Sequence, residues 1–298
     1  MSSPHASLDP SLVERLDRLA LLARQRRHGA GAGPRRSPTA GSSVEFADYR
    51  TYAHGDDFRR VDWNVFARVN RLFLRIFEAE ENSTLTLFLD CSASMAGGTP
   101  AKNRLARQIA CALAYVALVN YDRVAVAGIG ERIGPYLPPR SGRAHAPEIW
   151  KFIAELPESG ATDLGRLRAF RGYQPAAGIA VVLSDMLTDS DWRTGFRALQ
   201  GACRQDVTVI QVLSPDELKP GLDGDWTLVD SETGTEIELS ISPATLAQYQ
   251  HALRSYTTDI SGWCARHQMP FNQVASDASL ENVVLRDMVK VGTLGGRS

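Results

Sequence analysis

Several features that would place this chain in a broad functional class are scarce or missing. The net charge is only −1 over 298 residues, so charge gives no reason to expect nucleic acid or a membrane surface as a partner. The four cysteines are scattered and form no C-x-x-C pair, which argues against a zinc site or a disulfide framework. There is no G-x-S-x-G motif and no histidine at a spacing tied to a nucleophile, so a serine or cysteine hydrolase is not indicated.

Long hydrophobic runs and a targeting pattern are also lacking. The longest mostly apolar stretch, 109–119, is too short to span a bilayer. The first residues, MSSPHASLDPS, contain no basic segment followed by an apolar one, as a signal peptide would. We therefore expect a soluble, cytoplasmic protein with reduced cysteines and no membrane span.

Composition divides the chain into three stretches. Apolar residues at helical spacing predict an amphipathic helix over 8–28, and a Gly/Pro-rich linker follows it. A segment dense in aromatic and charged residues comes next, and the remainder is long enough for one large domain. The predicted divisions are therefore 1–40, 41–80 and 81–298.

The largest stretch alternates short apolar segments with amphipathic ones. This alternation predicts an α/β fold with a doubly wound, mostly parallel, Rossmann-like sheet, since strands covered on both faces read as apolar runs. An alternating segment around Glu232-Thr233-Gly234 predicts an inserted β-hairpin. The predicted strands are 84–89, 122–129, 179–184, 207–213 and 271–275. The predicted helices are 101–119, 145–155, 163–169, 191–201, 243–267 and 279–289.

The segment 41–80 carries a dense pattern of charged and aromatic residues. It resembles the domain-of-unknown-function family fifty-eight, whose signature is Glu-Phe-x-x-x-Arg-x-Tyr, then Gly-Asp-Asp-x-Arg-x-Ile-Asp-Trp, then Ala-Arg. Valine stands here where that signature has isoleucine. The matching residues are Glu45-Phe46, Arg50, Tyr52, Gly55-Asp56-Asp57, Arg59, Val61-Asp62-Trp63 and Ala67-Arg68.

Two roles are open for this segment. Arginine and carboxylate side chains can pair in bidentate geometry and clamp an irregular segment onto the following domain. In that case Trp63 should be a buried aromatic residue. The other role is a partner-binding surface that includes Arg59, Arg60 and Trp63, because Trp and Arg are frequent in interface hot spots.

Five oxygen-bearing residues lie at predicted strand ends or in loops: Asp90, Ser92, Ser94, Thr162 and Asp185. Serine and aspartate after a strand are also good helix N-caps or turn residues. The ordered combination is a hard-oxygen set that suits Mg²⁺ or Mn²⁺, and parallel sheets place such strand ends at one edge. The set resembles the metal-ion-dependent adhesion site of a von Willebrand factor A domain, where D-x-S-x-S, a later Thr and a later Asp hold one divalent cation.

This second resemblance implies a function without catalysis. The cation would be a docking point that a carboxylate of a protein partner completes. Members of family fifty-eight are discussed alongside MoxR-type AAA+ ATPases, so such an ATPase is the partner that the resemblance implies. A different interpretation is a haloacid-dehalogenase-like phosphohydrolase with Asp90 as nucleophile. Those enzymes place a second Asp where this chain has Ser92, and no Walker-type phosphate loop is present.

Overall fold

The computed structural model describes residues 10–21, 44–53, 58, 61–79 and 83–296. The chain divides into two compact units, one formed by 31–82 and the other by the residues before and after that segment. Within the described residues, no helix has both the length and the apolar character needed to cross a membrane.

The elements are numbered along the chain. The strands are β1 (Leu19–Leu21), β2 (Val44–Thr51), β3 (Phe73–Ala79), β4 (Thr84–Asp90), β5 (Arg123–Ile129), β6 (Ile133–Ser141), β7 (Gly178–Ser184), β8 (Gln205–Leu213), β9 (Gly224–Val229), β10 (Glu236–Ile241), β11 (Phe271–Ala275) and β12 (Leu294–Gly296). The helices are α1 (Pro10–Leu16), α2 (Trp63–Val69), α3 (Lys102–Val119), α4 (Ala146–Ala154), α5 (Trp192–Gln200), α6 (Pro215–Leu218), α7 (Pro243–Arg266), α8 (Leu280–Asn282) and α9 (Met288–Lys290), with 3₁₀ turns at Ala93–Ala96, Arg143–His145 and Leu164–Tyr173 and a π-turn at Val283–Asp287.

The larger unit is built on a six-stranded sheet in the order β11-β8-β7-β4-β5-β6. All neighbouring strands in it are parallel except β5 and β6. The central strand β4 is buried along its whole length, and its side chains alternate between two cores. Leu87 joins a core with residues of α3 and α4, whereas Phe88 joins a core with residues of α5 and α7. The predicted mixed α/β fold, with a mostly parallel sheet between helices, is confirmed.

The order of the strands determines where ligand-binding side chains can meet. From β4 the chain runs outward through β5 and β6, and it then returns to the other side of β4 as β7. Strands β4 and β7 are paired in parallel from Thr84 opposite Gly178 to Leu89 opposite Leu183. Their carboxyl ends therefore lie side by side at the position where the direction of winding changes, which is where open α/β sheets bind ligands.

Two predictions about elements were incomplete or wrong. Strand β6 was not predicted, because its sequence IGPYLPPRS contains three prolines, and such a strand is tolerated only at a sheet edge. The helix predicted over 8–28 ends at Leu16 in the structure, and β1 follows it. Strand β1 is antiparallel to β12, so a backbone partner from the far end of the chain replaces helical hydrogen bonds. Residues 22–28 lie outside the described residues.

The predicted hairpin is confirmed as strands β9 and β10. The cross-strand pairs place Leu228 beside Ile237 and Trp226 beside Leu239. These four side chains therefore share one face of the hairpin, and all four are exposed.

In the smaller unit, β2 and β3 form an antiparallel pair and α2 begins at Trp63. The Asp62 carboxylate caps that helix by accepting hydrogen bonds from the N–H groups of Asn64 (2.9 Å) and Val65 (3.2 Å). Trp63 is therefore the first helical residue, and it is 59% exposed and makes an edge-to-face contact with Phe66. The expectation that Trp63 is buried is wrong, because this short helix contributes no buried residue.

The two arginines predicted beside Trp63 as a partner surface, Arg59 and Arg60, lie outside the described residues.

Candidate metal centre

The five predicted oxygen-bearing residues meet at the carboxyl edge of β4 and β7. Asp90 is the last residue of β4 and Asp185 follows the last residue of β7. Ser92 and Ser94 are in the turn after β4, and Thr162 is in the loop before the 3₁₀ turn Leu164–Tyr173. Three separate segments thus supply the set.

Backbone hydrogen bonds hold the Thr162 loop against the turn after β4. The N–H of Ala93 donates to the carbonyl of Gly160, and the N–H of Ser159 donates to the carbonyl of Cys91, each at 2.9 Å. Because both loops are tied to each other through the main chain, the Thr162 hydroxyl is placed beside Asp90 by fixed geometry.

Asp90 is the buried centre of the set. Its Oδ1 accepts hydrogen bonds from the Ser92 N–H at 2.9 Å, from the Ser92 hydroxyl at 2.7 Å and from the Thr162 hydroxyl. Its Oδ2 accepts one from the Ser184 hydroxyl at 2.5 Å. Ser184 was not singled out in the sequence, because a serine at the end of an apolar strand carries no pattern of its own.

Asp185 is joined to Asp90 through the two serines. Its Oδ2 accepts a hydrogen bond from the Ser94 hydroxyl at 2.8 Å, and the Ser94 and Ser92 hydroxyl oxygens are 2.9 Å apart. Its Oδ1 accepts one from the N–H of Leu187 at 3.0 Å. This hydrogen bond is typical of a turn residue at the end of a strand, which is the alternative role that the sequence suggested for aspartate at such a position. Asp185 therefore serves the turn with one oxygen and the shared network with the other.

The N-cap interpretation does not hold for Ser92. Ser92 precedes the 3₁₀ turn Ala93–Ala96, but its side chain makes no capping hydrogen bond there. Its hydroxyl is directed to Asp90 instead, so it belongs to the cluster of oxygens.

A buried lysine, which the sequence reasoning missed, enters the cluster from the first turn of α3. Lys102 is 1% exposed, and its Nζ lies 2.7 Å from Asp185 Oδ2 and 2.5 Å from Glu217 Oε1. Glu217 also closes a capping box with Ser214 at the start of α6. The chain has 33 basic residues but few lysines. The small number of lysines is the feature of the sequence that could have drawn attention to Lys102. A compact ammonium fits between two carboxylates where a planar guanidinium would need more room.

The charges in the cluster raise two pKa values. Burial, together with the nearby negative charge of Asp185, raises the pKa of Asp90. Burial alone would lower the pKa of Lys102, but the charges and hydrogen bonds of Asp185 and Glu217 outweigh it, so the pKa of Lys102 is raised. The cluster therefore contains carboxylates whose mutual repulsion a further cation would relieve.

The turn of the hairpin carries a partly buried carboxylate. Glu232 lies between β9 and β10 and is the one residue of 223–240 that is not exposed. Partial burial raises the pKa of Glu232, and the charges of Asp90 and Asp185 add to that rise. The sequence predicts the turn but not the electrostatic influence of Asp90 and Asp185 on it, because these residues are distant from Glu232 in the chain.

The hydroxyls have fewer hydrogens than contacts. Four contacts connect them to the carboxylates and to each other: Ser92 to Asp90, Thr162 to Asp90, Ser92 to Ser94 and Ser94 to Asp185. Each hydroxyl has a single hydrogen to donate, so the three hydroxyls satisfy three of these contacts. The fourth brings two lone pairs together, and lone pairs of hard oxygens are the ligands that Mg²⁺ and Mn²⁺ prefer.

The composition of the set limits the kind of metal it suits. Among the described residues, no group of three or more His, Cys, Asp or Glu side chains could hold a metal ion. A site at this edge therefore depends on the serine and threonine hydroxyls, and this donor set fits a hard divalent cation and not zinc.

Comparisons with known proteins place the chain among uncharacterized relatives. It is 31% identical over 266 residues to the Uncharacterized protein Rv1480 of Mycobacterium tuberculosis, covering 85% of this chain and 81% of the relative. The Uncharacterized protein Mb1516 of Mycobacterium bovis matches with the same identity and coverage.

Solved structures with a similar arrangement include two from Bacteroides. One is the conserved hypothetical protein BatB from Bacteroides thetaiotaomicron, with 14% identity, a TM-score of 0.42, and coverage of 70% of this chain and 98% of that chain. The other is an aerotolerance-related membrane protein from Bacteroides fragilis, with 16% identity, a TM-score of 0.42, and coverage of 70% and 99%.

The signature residues of 41–80 already resembled one family, and a model of that family matches most of the chain. The model, described as "Protein of unknown function DUF58", matches residues 48–259, and the chain therefore belongs to this family.

Proposed function

We propose that the protein is a metal-dependent protein-interaction module of the von Willebrand factor A type. Asp90, Ser92, Ser94, Thr162 and Asp185 would hold one Mg²⁺ or Mn²⁺. The observation that carries the proposal is the continuous hydrogen-bonded path from Thr162 through Asp90, Ser92 and Ser94 to Asp185, which unites three segments at the switch point of the sheet.

The roles of the residues follow from their present contacts. The hydroxyls of Ser92, Ser94 and Thr162 have lone pairs available for direct contact with a cation. The Asp90 carboxylate accepts four hydrogen bonds on its two oxygens, so it acts mainly by fixing the hydroxyls and by supplying negative charge. A divalent cation held largely by neutral hydroxyls keeps much of its positive charge and attracts a carboxylate of a protein partner.

The surroundings of the cluster suit a partner. The hairpin of β9 and β10, whose Glu232 is subject to the charges of Asp90 and Asp185, exposes the apolar face of Trp226, Leu228, Ile237 and Leu239. Adjacent exposed apolar side chains commonly mark interaction surfaces. We propose a MoxR-type AAA+ ATPase as the partner because of the resemblance to family fifty-eight, with the module acting as an adaptor in the assembly or maturation of complexes and without an enzymatic activity of its own.

One observation favours a second candidate, a haloacid-dehalogenase-like phosphohydrolase with Asp90 as nucleophile. Such enzymes use a lysine beside their acidic residues, and Lys102 is paired with Asp185 in this way. However, the position two residues after Asp90 is Ser92, which cannot act as the general acid that an aspartate would be. The Asp90 oxygens are also fully engaged by hydroxyl and N–H donors, so the carboxylate is poorly placed to attack a phosphate.

Calorimetric titration with Mn²⁺ tests the site. We expect one site per chain in the wild type and its loss in Asp90→Ala and in a Ser92→Ala/Ser94→Ala variant. Asp189→Asn is the matched control, because Asp189 is an exposed aspartate of the loop that follows Asp185, and it should bind as the wild type does. Equal binding by the wild type and Asp90→Ala would contradict the proposed site.

The partner and the second candidate need separate assays. A purified MoxR-type ATPase should bind the wild type in Mg²⁺ and lose that binding in EDTA and with Thr162→Val. Binding that is indifferent to EDTA would contradict a metal-dependent docking point. A Mg²⁺-dependent phosphatase activity that disappears in Asp90→Asn would support the second candidate instead.

A further inference from the structure

Strand β11 forms one edge of the six-stranded sheet. The carbonyl of Pro270 and the N–H of Ser276 both make hydrogen bonds to β8, each at 2.8 Å. Residues that bond to a parallel neighbour alternate along a strand, so the N–H and C=O groups of Phe271 and Gln273 point away from β8. Among the described residues, none pairs with these four groups. The sheet therefore ends in backbone donors and acceptors to which another extended chain can add.

Helix α7 contacts this strand and is much longer than it. Its 24 residues span about 36 Å, whereas the five residues of β11 span about 17 Å. Near its end the helix buries Ile260, Trp263 and Cys264 in the core. Leu253 and Thr257 precede Ile260 and Cys264 by two turns on the same side of the helix, and they line a cavity of about 480 Å³. The side of α7 that packs on the core near its end thus faces a cavity nearer its start.

Three elements form the walls of this cavity, which we call the α7–β11 groove. Helix α7 contributes a stripe at helical spacing, namely Gln250, Leu253, Arg254, Thr257 and Thr258. Strand β11 contributes Gln273, and α6 with its C-cap contributes Leu218 and Lys219. The Tyr249 hydroxyl of α7 donates to the Glu217 carbonyl of α6 at 2.9 Å. This hydrogen bond fixes the α6 wall to the helix, so the groove is a built feature of the fold.

The groove is lined by charge of one sign. Lys219 and Arg254 are both exposed, and neither side chain forms an ion pair or a hydrogen bond with any described residue. Within the described part of the chain, the lining contains no aspartate or glutamate. Leu218 and Leu253 add apolar surface between the cations. The lining therefore complements an acidic chain and disfavours a basic one.

We propose that the α7–β11 groove binds an extended acidic segment of a protein partner, which adds to β11 as a further strand. The backbone of the segment pairs with Phe271 and Gln273, and the side chains on one of its faces enter the groove, where carboxylates meet Lys219 and Arg254. In such strand addition, main-chain hydrogen bonds supply affinity and the pockets for alternate side chains supply specificity.

This surface is separate from the proposed metal-dependent docking point. None of the residues that line the groove belongs to the five of the candidate metal centre, and an acidic strand needs no cation to bind there. The inference therefore does not rest on the proposed function, and its experiment is carried out in EDTA.

Fluorescence anisotropy of the full chain with a short labelled peptide tests the charge of the ligand. The probe alternates valine and glutamate, which places all its glutamates on one face when it is extended. The wild type should bind this probe and should not bind the same peptide with lysine in place of glutamate. Arg254→Glu should weaken binding on the order of ten-fold, because it sets like charges against each other. Arg266→Glu is the matched control, since Arg266 is an exposed arginine in the last turn of the same helix, and it should bind as the wild type does.

Methylation of the peptide backbone tests strand addition without altering the protein. One probe carries N-methyl groups on its valines and a second carries them on its glutamates. These two sets of N–H groups point to opposite edges of an extended chain, so one methylated probe should lose binding and the other should keep it.

Four results would overturn the inference and leave the proposed function untouched. They are no binding of the unmodified glutamate peptide, equal binding by the wild type and Arg254→Glu, and an equal effect of the two methylations. The fourth is a dimer in EDTA that Arg254→Glu dissociates, which light scattering would detect, because a second copy of the chain would then cover the groove.

Discussion

The buried lysine at the start of α3 provides the sharpest test of how the cluster is held together. Replacing Lys102 with methionine keeps most of the side-chain volume and removes only the ammonium. Its partner Asp185 would then be a buried carboxylate, 3% exposed in its side chain. Among the described residues, the Ser94 hydroxyl and the Leu187 N–H would remain as its donors. The other partner, Glu217, is 25% exposed, so water can solvate part of its charge.

The expected cost follows from these exposures. Removing one member of a buried ion pair typically destabilises a protein by about 3–5 kcal/mol, since the remaining charge stays buried without compensation. Water can solvate Glu217 and two donors remain on Asp185, so we expect the lower end, about 3 kcal/mol. For a domain of this size, that corresponds to a fall in melting temperature of roughly 6–12 °C.

Urea unfolding in EDTA should measure this difference between the wild type and Lys102→Met. Lys151→Met is the matched control, because Lys151 forms an exposed pair with Glu155 at 3.8 Å on α4, and its loss should cost less than about 0.5 kcal/mol. The double variant Lys102→Met/Asp185→Asn should be more stable than the sum of the two single changes predicts. A cost below about 1 kcal/mol for Lys102→Met, or strict additivity in the double variant, would refute this reasoning.

Four further predictions rest on the described residues. Because the pKa of Asp90 is raised above its ordinary value of 3.8, protons compete with a cation, so the calorimetric Mn²⁺ affinity should fall as the pH is lowered toward the raised pKa. The folding stability of the metal-free protein should change with pH in the opposite direction. The folded state binds more protons at Asp90 than the unfolded state, so the stability from this group is lost as pH rises through the raised pKa. A pH series of melting curves in EDTA checks this. Gly195→Ala in α5 should destabilise by about 1–3 kcal/mol in urea unfolding, although alanine normally favours a helix, because the added Cβ would overlap the Leu164 carbonyl oxygen; a gain in stability would contradict this packing. Trp63→Ala should cost less than about 1 kcal/mol because the side chain is exposed, and a loss of 3–5 kcal/mol in melting experiments would show that it is buried after all.

The sequence predicted the parallel strands well because their signal is local. Four of the five predicted strands are short apolar runs, and all five appear within two residues of their predicted bounds. The same reasoning missed β6, whose prolines are compatible only with an edge strand. It also extended α1 too far, because the hydrophobic spacing around Leu19 fits a helix, whereas pairing with β12 decides the structure.

In the candidate site, too, residues of one short motif could be predicted from the sequence, whereas contacts between distant residues could not. Asp90, Ser92 and Ser94 belong to one short motif, and the fold brings Thr162 and Asp185 to it as expected. The contact of Glu217 with Lys102 could not be predicted, since the two residues are 115 positions apart in the chain. No pattern in the sequence encodes such a contact without the topology.

A structure determined with Mn²⁺ would test the central claim most directly. An anomalous difference map should show one Mn²⁺ in contact with the hydroxyl oxygens of Ser92, Ser94 and Thr162, at the carboxyl edge of β4 and β7. A map without a peak at this edge in millimolar Mn²⁺, or a Mn²⁺ whose ligands exclude these hydroxyls, would contradict the proposed metal centre.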